Sequence, residues 1–408
     1  MNTEELVRSA LREQAAEQTP LDSGFADRVL GLRRRRHGRR LAVAAVATAA
    51  VVAVGLGVPR LDTTTGGGGT GLAGVGAGGD DVLAHPDQSP PRDQVAVGKT
   101  LLGAHYTTEP VAGSGDSGVL TRTYSLLDPD TRTYRKDDRW SYVALAPGGR
   151  TAAVLERELP TRRIGLLDLA TGEVERWIPV QRGVAAVGFS ADGRRIVATT
   201  YSENPDQLRR SADAPEGSGG WEQRWDLSGR TGFYAVDVPD GKADWTRVDG
   251  ETGFEARGDF GFSEDGRSLW TVLTEEGVGE TSGEEPRYYN LSGDRIDQLT
   301  GKQTLGSEAG MWRGPHSALG TYDQIVETTE RVDSKNPDLP DLAAGTMAIA
   351  PIGGGRWLAW DMKDGAPDRI RLVVTPERGD RSVPLTGYRR PPEKPGQQPW
   401  EPLFTTGG

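Results

Sequence analysis

The feature that most constrains this chain is a turn that returns at a fixed interval. The phrases ALAPGGR, GFSADGR and GFSEDGR recur between short runs in which apolar and polar residues alternate. Alternation of that kind is the period of a half-buried strand. Glycine accepts the positive φ of a tight hairpin turn, and an aspartate caps the turn it sits in. Trp140 to Val180 reads as four such strands, and Gly183 to Val248 repeats the pattern around a longer polar stretch. Gly149 and Gly193 are 44 residues apart. Gly193 and Gly266 are 73 apart, and removing the 28 residues of 203–230 leaves 45. Turns at Gly98, Gly314 and Gly354 extend the series to six. A four-stranded unit of about 40–45 residues is the length of a propeller blade. The sequence therefore predicts an all-β, six-bladed β-propeller over residues 94–408, with seven blades as the alternative count.

If the strands of a blade are lettered a to d, the a–b and c–d turns leave one face of the disc and the b–c loops leave the other. The insertions 109–118, 203–230 and 275–286 all fall at b–c positions, so they are expected to crowd one face. The longest carries Arg209, Arg210, Trp221, Arg224 and Trp225, residue types favoured where partners are gripped. These five are the candidate partner-binding residues. As a polar loop, 205–228 is also expected to be removable without unfolding the propeller.

Upstream of the repeats the chain changes character. Leu41 to Val58 is eighteen residues without a charge, about 27 Å as a helix, preceded by RRRRHGRR and followed only by Arg60 and Asp62. Arginine on one side predicts a single transmembrane helix over 41–59, with residues 1–40 cytoplasmic and the propeller outside the cell membrane. A cleaved signal peptide is the alternative. Asn2 to Gln18 has the apolar stripe of an amphipathic helix, and Pro20 ends it. Residues 60–93, rich in glycine and threonine at their start, are expected as a flexible linker.

Composition removes several classes of function. The chain has no cysteine, so disulfides, thiolate metal sites and cysteine nucleophiles are excluded. The four histidines, at 37, 85, 105 and 316, share no metal-ligand spacing. Residues 1–40 carry nine arginines against six acids, which leaves 39 basic and 53 acidic residues in the remainder. An acidic main domain argues against nucleic acid as a partner. Gly115 to Gly118 reads GDSG, the nucleophile turn of chymotrypsin-like proteases, but Val119 stands where that motif needs another glycine. No cofactor, metal site or catalytic set is predicted, and the chain is read as a binding module and not an enzyme.

The turn phrases, followed by DLATG at Asp168 and DVPDG at Asp237, resemble WD40-like and TolB-like propeller repeats. The whole chain, with HPDQSPPRD at His85 to Asp93, resembles a group of actinobacterial membrane-anchored WD40-repeat proteins. WD40 signatures themselves are missing, since no Gly-His opens a blade. The resemblance implies an extracytoplasmic protein or envelope ligand as partner, and a link to sigma-factor regulation through a cytoplasmic partner of residues 1–40. A propeller hydrolase or lyase is the alternative from another class, and a cleaved, secreted propeller the alternative of location.

Overall fold

Two copies of the recurring turn close with the same side-chain contacts. Ser190 Oγ donates to Asp192 Oδ1 at 2.6 Å, while the amides of Arg194 and Arg195 donate to Asp192 Oδ1 and Ser190 Oγ. Ser263 and Asp265 repeat these contacts with Arg267 and Ser268. The glycine that follows each aspartate takes the left-handed conformation, with φ of 69° at Gly193 and 66° at Gly266. A local sequence thus fixes a hairpin, and the strands on either side follow from it.

The structure is a computed structural model, and it describes residues 81–406 apart from 213, 215–217, 225–228, 249–256, 264, 275–283, 298–345, 364–368, 377–380, 391–393 and 395. Strands β1 (Val82–Leu83) and β2 (Ala96–Val97) form a short hairpin ahead of the first long strands. Unit 1 contains β3 (Thr100–Ala112), β4 (Ser117–Asp128) and β5 (Thr133–Asp137). Unit 2 is β6 (Trp140–Leu145), β7 (Thr151–Glu156), β8 (Thr161–Asp168) and the first half of β9 (Val174–Phe189). The second half of β9 continues into unit 3, where it pairs with β10 (Arg195–Tyr201). A small hairpin follows, β11 (Gln207–Arg210) and β12 (Trp221–Gln223), before β13 (Arg230–Asp237) and β14 (Ala243–Arg247) complete unit 3. Unit 4 is β15 (Gly261–Phe262), β16 (Ser268–Thr274), β17 (Glu284–Asn290) and β18 (Arg295–Ile296). The last unit is β19 (Thr346–Gly353), β20 (Arg356–Met362), β21 (Ile370–Pro376) and β22 (Val383–Pro384). The final strand, β23 (Glu401–Thr406), pairs antiparallel with β3 and supplies the missing strand a of unit 1.

Each unit is an antiparallel meander, and burial grades across it. Every residue of β6 is buried, whereas the outer strands β5 and β14 alternate between exposed and half-buried. First strands therefore line the axis and fourth strands form the rim. Faces of successive units share hydrophobic cores. Leu403, Ala104 and Tyr124 of unit 1 meet Trp140, Val143 and Val154 of unit 2. Ala153 and Ile164 of unit 2 meet Val187 and Ile196 of unit 3, and Val197 and Phe233 of unit 3 meet Phe260 and Leu269 of unit 4. On the other side of unit 1, Leu102 and Phe404 pack on Leu358, Trp360 and Leu372 of the last unit. Face-to-face blades in chain order, closed by a C-terminal strand on the N-terminal unit, are a β-propeller.

Gly149, Gly193, Gly266 and Gly354 all occupy a–b turns with positive φ, at equivalent places in their units. Gly98 does not. It closes the β2–β3 hairpin, and unit 1 has no a–b turn because its strand a is β23. Five four-stranded units lie among the described residues, and Gly314 falls outside them. Residues 1–40 and the expected helix at 41–59 also lie outside the described residues. Among those that are described, no helix is long and apolar enough to cross a membrane. Residues 81–93, on the linker side of the sequence boundary, are packed on the propeller. Asp81 pairs with Arg356 at 2.7 Å, the His85 amide donates to Leu385 O, and Ser89 Oγ accepts from Trp400 Nε1.

Candidate partner-binding face

Two of the three b–c insertions meet. Unit 1 extends its b and c strands into a hairpin at 109–118, and the insertion that leaves unit 3 at Tyr201 runs across to it. There β11 pairs with the outer edge of β4, Gln207 opposite Val119 and Arg209 opposite Ser117. The insertion thus passes over unit 2, whose own b–c connection is only residues 157–160. Of the third insertion, residues 275–283 lie outside the described residues.

The exposed part of this platform carries the arginines predicted from sequence. Arg209 and Arg210 are exposed on β11. Arg209 Nε donates to Glu222 Oε1 at 2.5 Å across the small hairpin. The Arg210 guanidinium lies 3.9 Å over the Trp221 ring. Trp221 itself is buried, pressed on Gly118, where a Cβ would stand 2.6 Å from the ring. Arg224 is half-buried and its amide donates to Gln207 O. Trp225 lies outside the described residues.

Beneath the hairpin is a buried ionic network that the sequence reading missed. An Asn204 turn, with Oδ1 accepting the Asp206 amide at 2.9 Å, aims the Asp206 carboxylate inward. It accepts Arg122 Nη1 at 2.7 Å and Nη2 at 3.0 Å, and Arg257 Nε at 2.7 Å and Nη2 at 2.8 Å. Arg122 comes from strand c of unit 1 and also donates to Ser141 O of unit 2. Arg257 precedes unit 4 and donates to Ala185 O of unit 3 and to Asp259 Oδ2. Tyr201 donates to Asp259 Oδ1 at 2.7 Å and accepts the Gly258 amide. One side chain of the insertion therefore ties together four units. Burial alone would raise the Asp206 carboxyl, but the two guanidiniums override it and hold it well below the usual carboxylate range.

This overturns the expectation that 205–228 is a removable surface loop. Its first residues include Asp206, and deletion would remove the carboxylate that two buried guanidiniums share. The sequence gives one partial signal. Arg122 sits on the inward parity of β4 with Tyr124 and Leu126, so a buried arginine needing a partner was readable. The identity of that partner, 84 residues away, was not.

The network has little capacity for acid–base chemistry, because four charge-assisted bonds fill the Asp206 carboxylate. Ser117 of the GDSG stretch donates to Ser114 O in a hairpin loop. His105 is opposite Ser125, and Gly118 is opposite Ala112, seven residues along β3 from His105 or roughly 23 Å of strand. His105 is buried, hydrogen-bonded at Nε2 to Pro91 O, and burial pulls its imidazole down to about 4. No cluster of metal-ligating side chains occurs among the described residues.

No family model and no curated protein matches the sequence. Solved structures that align with it include TolB from Acinetobacter baumannii, at 13% identity and a TM-score of 0.30 over 70% of this chain and 53% of that one. The β-propeller domain of the trilobed protease from Pyrococcus furiosus aligns at 10% identity and a TM-score of 0.29, over 72% of this chain and 70% of that one. An acylaminoacyl peptidase from Pyrococcus horikoshii aligns at 11% identity and a TM-score of 0.30, over 67% of this chain and 38% of that one. The chain spans about half the length of the TolB structure it matches. These values carry no inference about ligand or activity, and the fold rests on the blades described above.

Proposed function

We propose that this protein is a membrane-tethered, six-bladed propeller that binds a protein or envelope ligand outside the cell and does not catalyse a reaction. The observation that carries this reading is the b–c platform. A loop that only filled space would not be fixed through a buried carboxylate to two arginines and paired edge-on to a neighbouring blade. Fixing it holds Arg209 and Arg210 in a set geometry, which lowers the entropy lost on binding. The saturated carboxylates beneath it favour recognition over acid–base work. The arginine block at 33–40 and the uncharged run at 41–58 support the tether, with residues 1–40 available to a cytoplasmic, sigma-factor-linked partner.

Two measurements test the proposal. A reporter fused after residue 78 should be active only outside the membrane, and one fused within residues 1–30 only inside. Full-length protein should capture its ligand from solubilised membranes, and the double variant R209A/R210A should weaken capture about thirtyfold or more if either arginine is an anchor. Undiminished capture by the folded double variant would turn attention to the opposite, short-turn face. A mature protein that begins beyond Val58 would replace the tether with a signal peptide.

A further inference from the structure

Residues 81–94 precede the first long strand, yet they lie across the seam where the propeller closes. On the last unit, Asp81 pairs with Arg356, and Val82 and Ala84 pack on the core that holds Leu358, Trp360 and Leu372. The segment then runs beside the outer strand of that unit. There the His85 amide donates to Leu385 O, and Gln88 O accepts the Gly387 amide at 2.8 Å. From this point it crosses to unit 1. The Tyr134 amide donates to Arg92 O at 3.0 Å, Asp93 bridges to Thr133, and the Gln94 amide donates to Arg132 O at 2.9 Å. Leu385 follows β22 and Thr133 opens β5, so the segment joins the outermost strands of the two units.

A turn built on Gln88 gives the segment its shape. Gln88 is buried, its Oε1 accepts the amides of Arg92 at 2.8 Å and Asp93 at 3.1 Å, and its Nε2 donates to Asp93 Oδ2 at 2.6 Å. All three of these side-chain bonds stay within the segment. Its middle is held by the seam itself. Ser89 Oγ accepts Trp400 Nε1 at 3.0 Å, and His105 Nε2 is bonded to Pro91 O at 3.2 Å. Trp400 is the residue before β23, and its ring lies 5.7 Å from Trp360 of the last unit and 5.8 Å from His105 of unit 1. One indole thus links the segment to the closing strand.

We infer that residues 81–94 are a strap over the closing seam, and that its seating controls whether β23 stays paired with unit 1. The propeller is clasped twice. Near the axis, β23 closes it on β3, and at the rim the strap runs from the last unit to β5. One clasp alone leaves two blades free to swing apart about it, and a second at another radius stops the swing. Unseating the strap also frees Trp400, next to the first paired residue of β23. The strap is the first part of the propeller in chain order, so a pull on residues 1–80 reaches the seam through it. It needs no membrane anchor to act and is independent of the proposed tether.

The test is backbone hydrogen exchange of the full-length protein in detergent, read by mass spectrometry, in the wild type and in Q88A. The substitution removes bonds made inside the strap and leaves the side chains of the blades as they are. The amides of Arg92 and Asp93 lose their acceptor and report that the strap has come loose. Amides of Glu401–Thr406 should then exchange about tenfold faster or more, while those of Arg195–Tyr201 in unit 3 keep their wild-type rates. Should Q88A fail to fold, S89A, which removes the bond to Trp400 alone, serves the same comparison. Unchanged exchange in β23 beside a loosened strap overturns the inference. So does an equal rise in β23 and unit 3, which marks a loss of global stability and not an opening of the seam.

Discussion

Replacing Asp206 by asparagine is the sharpest probe of the platform, because one atom pair changes and the volume does not. The carboxylate accepts four bonds from Arg122 and Arg257, all between 2.7 and 3.0 Å. An asparagine keeps one acceptor oxygen and turns an NH₂ toward a guanidinium. Arg257 retains Asp259, and Arg122 retains the Ser141 carbonyl. Removing one partner of a buried pair costs about 3–5 kcal/mol. With an unfolding entropy of roughly 2.1 cal/mol/K per residue over about 330 residues, the midpoint should fall by about 4–7 °C. Scanning calorimetry of the full-length protein at pH 7 reads this directly. The effect also has a signature in pH. The folded carboxyl titrates below its ordinary value of 3.8, so its contribution is complete above that value and fades as pH falls below it. The gap between wild type and D206N should therefore be constant from pH 7 to about 5 and shrink below 4. A midpoint shift under 1 °C, or a gap that widens in acid, would refute the role assigned to the network.

Two further perturbations address separate links. His105 is neutral when folded, at about 4 against 6.5 in an open chain, so the unfolded state binds the extra proton between these values. Stability should drop by up to about 3 kcal/mol as pH falls from 6.5 to 4, and H105Q should flatten that part of the profile. Gly118→Ala puts a methyl group 2.6 Å from the Trp221 ring and 3.0 Å from Val111 O. It should cost about 1–3 kcal/mol by overpacking and hasten proteolytic nicking within 203–230, read by timed digestion.

What could be read in advance was what the chain encodes locally. The turns depend on residues within five positions of one another, Ser-x-Asp-Gly at Gly193 and Gly266 and Ala-Pro-Gly-Gly at Gly149, so these glycines were placed correctly with their strands. Gly98 was misplaced for the complementary reason. Nothing near it signals that the strand beside β3 comes from Glu401–Thr406. The b–c positions of 109–118 and 203–230 followed from strand order, but their pairing did not, because it depends on unit 2 having a short loop beneath. Trp221 drew attention as an exposed anchor type, whereas its ring is used in packing on Gly118. Arg257 lies in a stretch without alternation, so neither its burial nor its tie to Asp206 could be inferred from pattern.

Closure by the last strand sets a schedule for how the molecule comes into being. About 300 residues separate Tyr106 from its partner Glu401. At a synthesis rate of 5–20 residues per second, the edge of β3 waits roughly 15–60 s for its neighbour. Until then its backbone donors and acceptors are an open template for any passing strand. Joining the ends of so long a chain costs about 5 kcal/mol in closure entropy, and pre-stacked middle blades shorten the effective span. Synthesis thus leaves an incomplete propeller, and the final six paired residues decide when it becomes a finished one. An affinity tag placed directly after Thr406 adjoins that seam, whereas one placed before residue 81 leaves it alone.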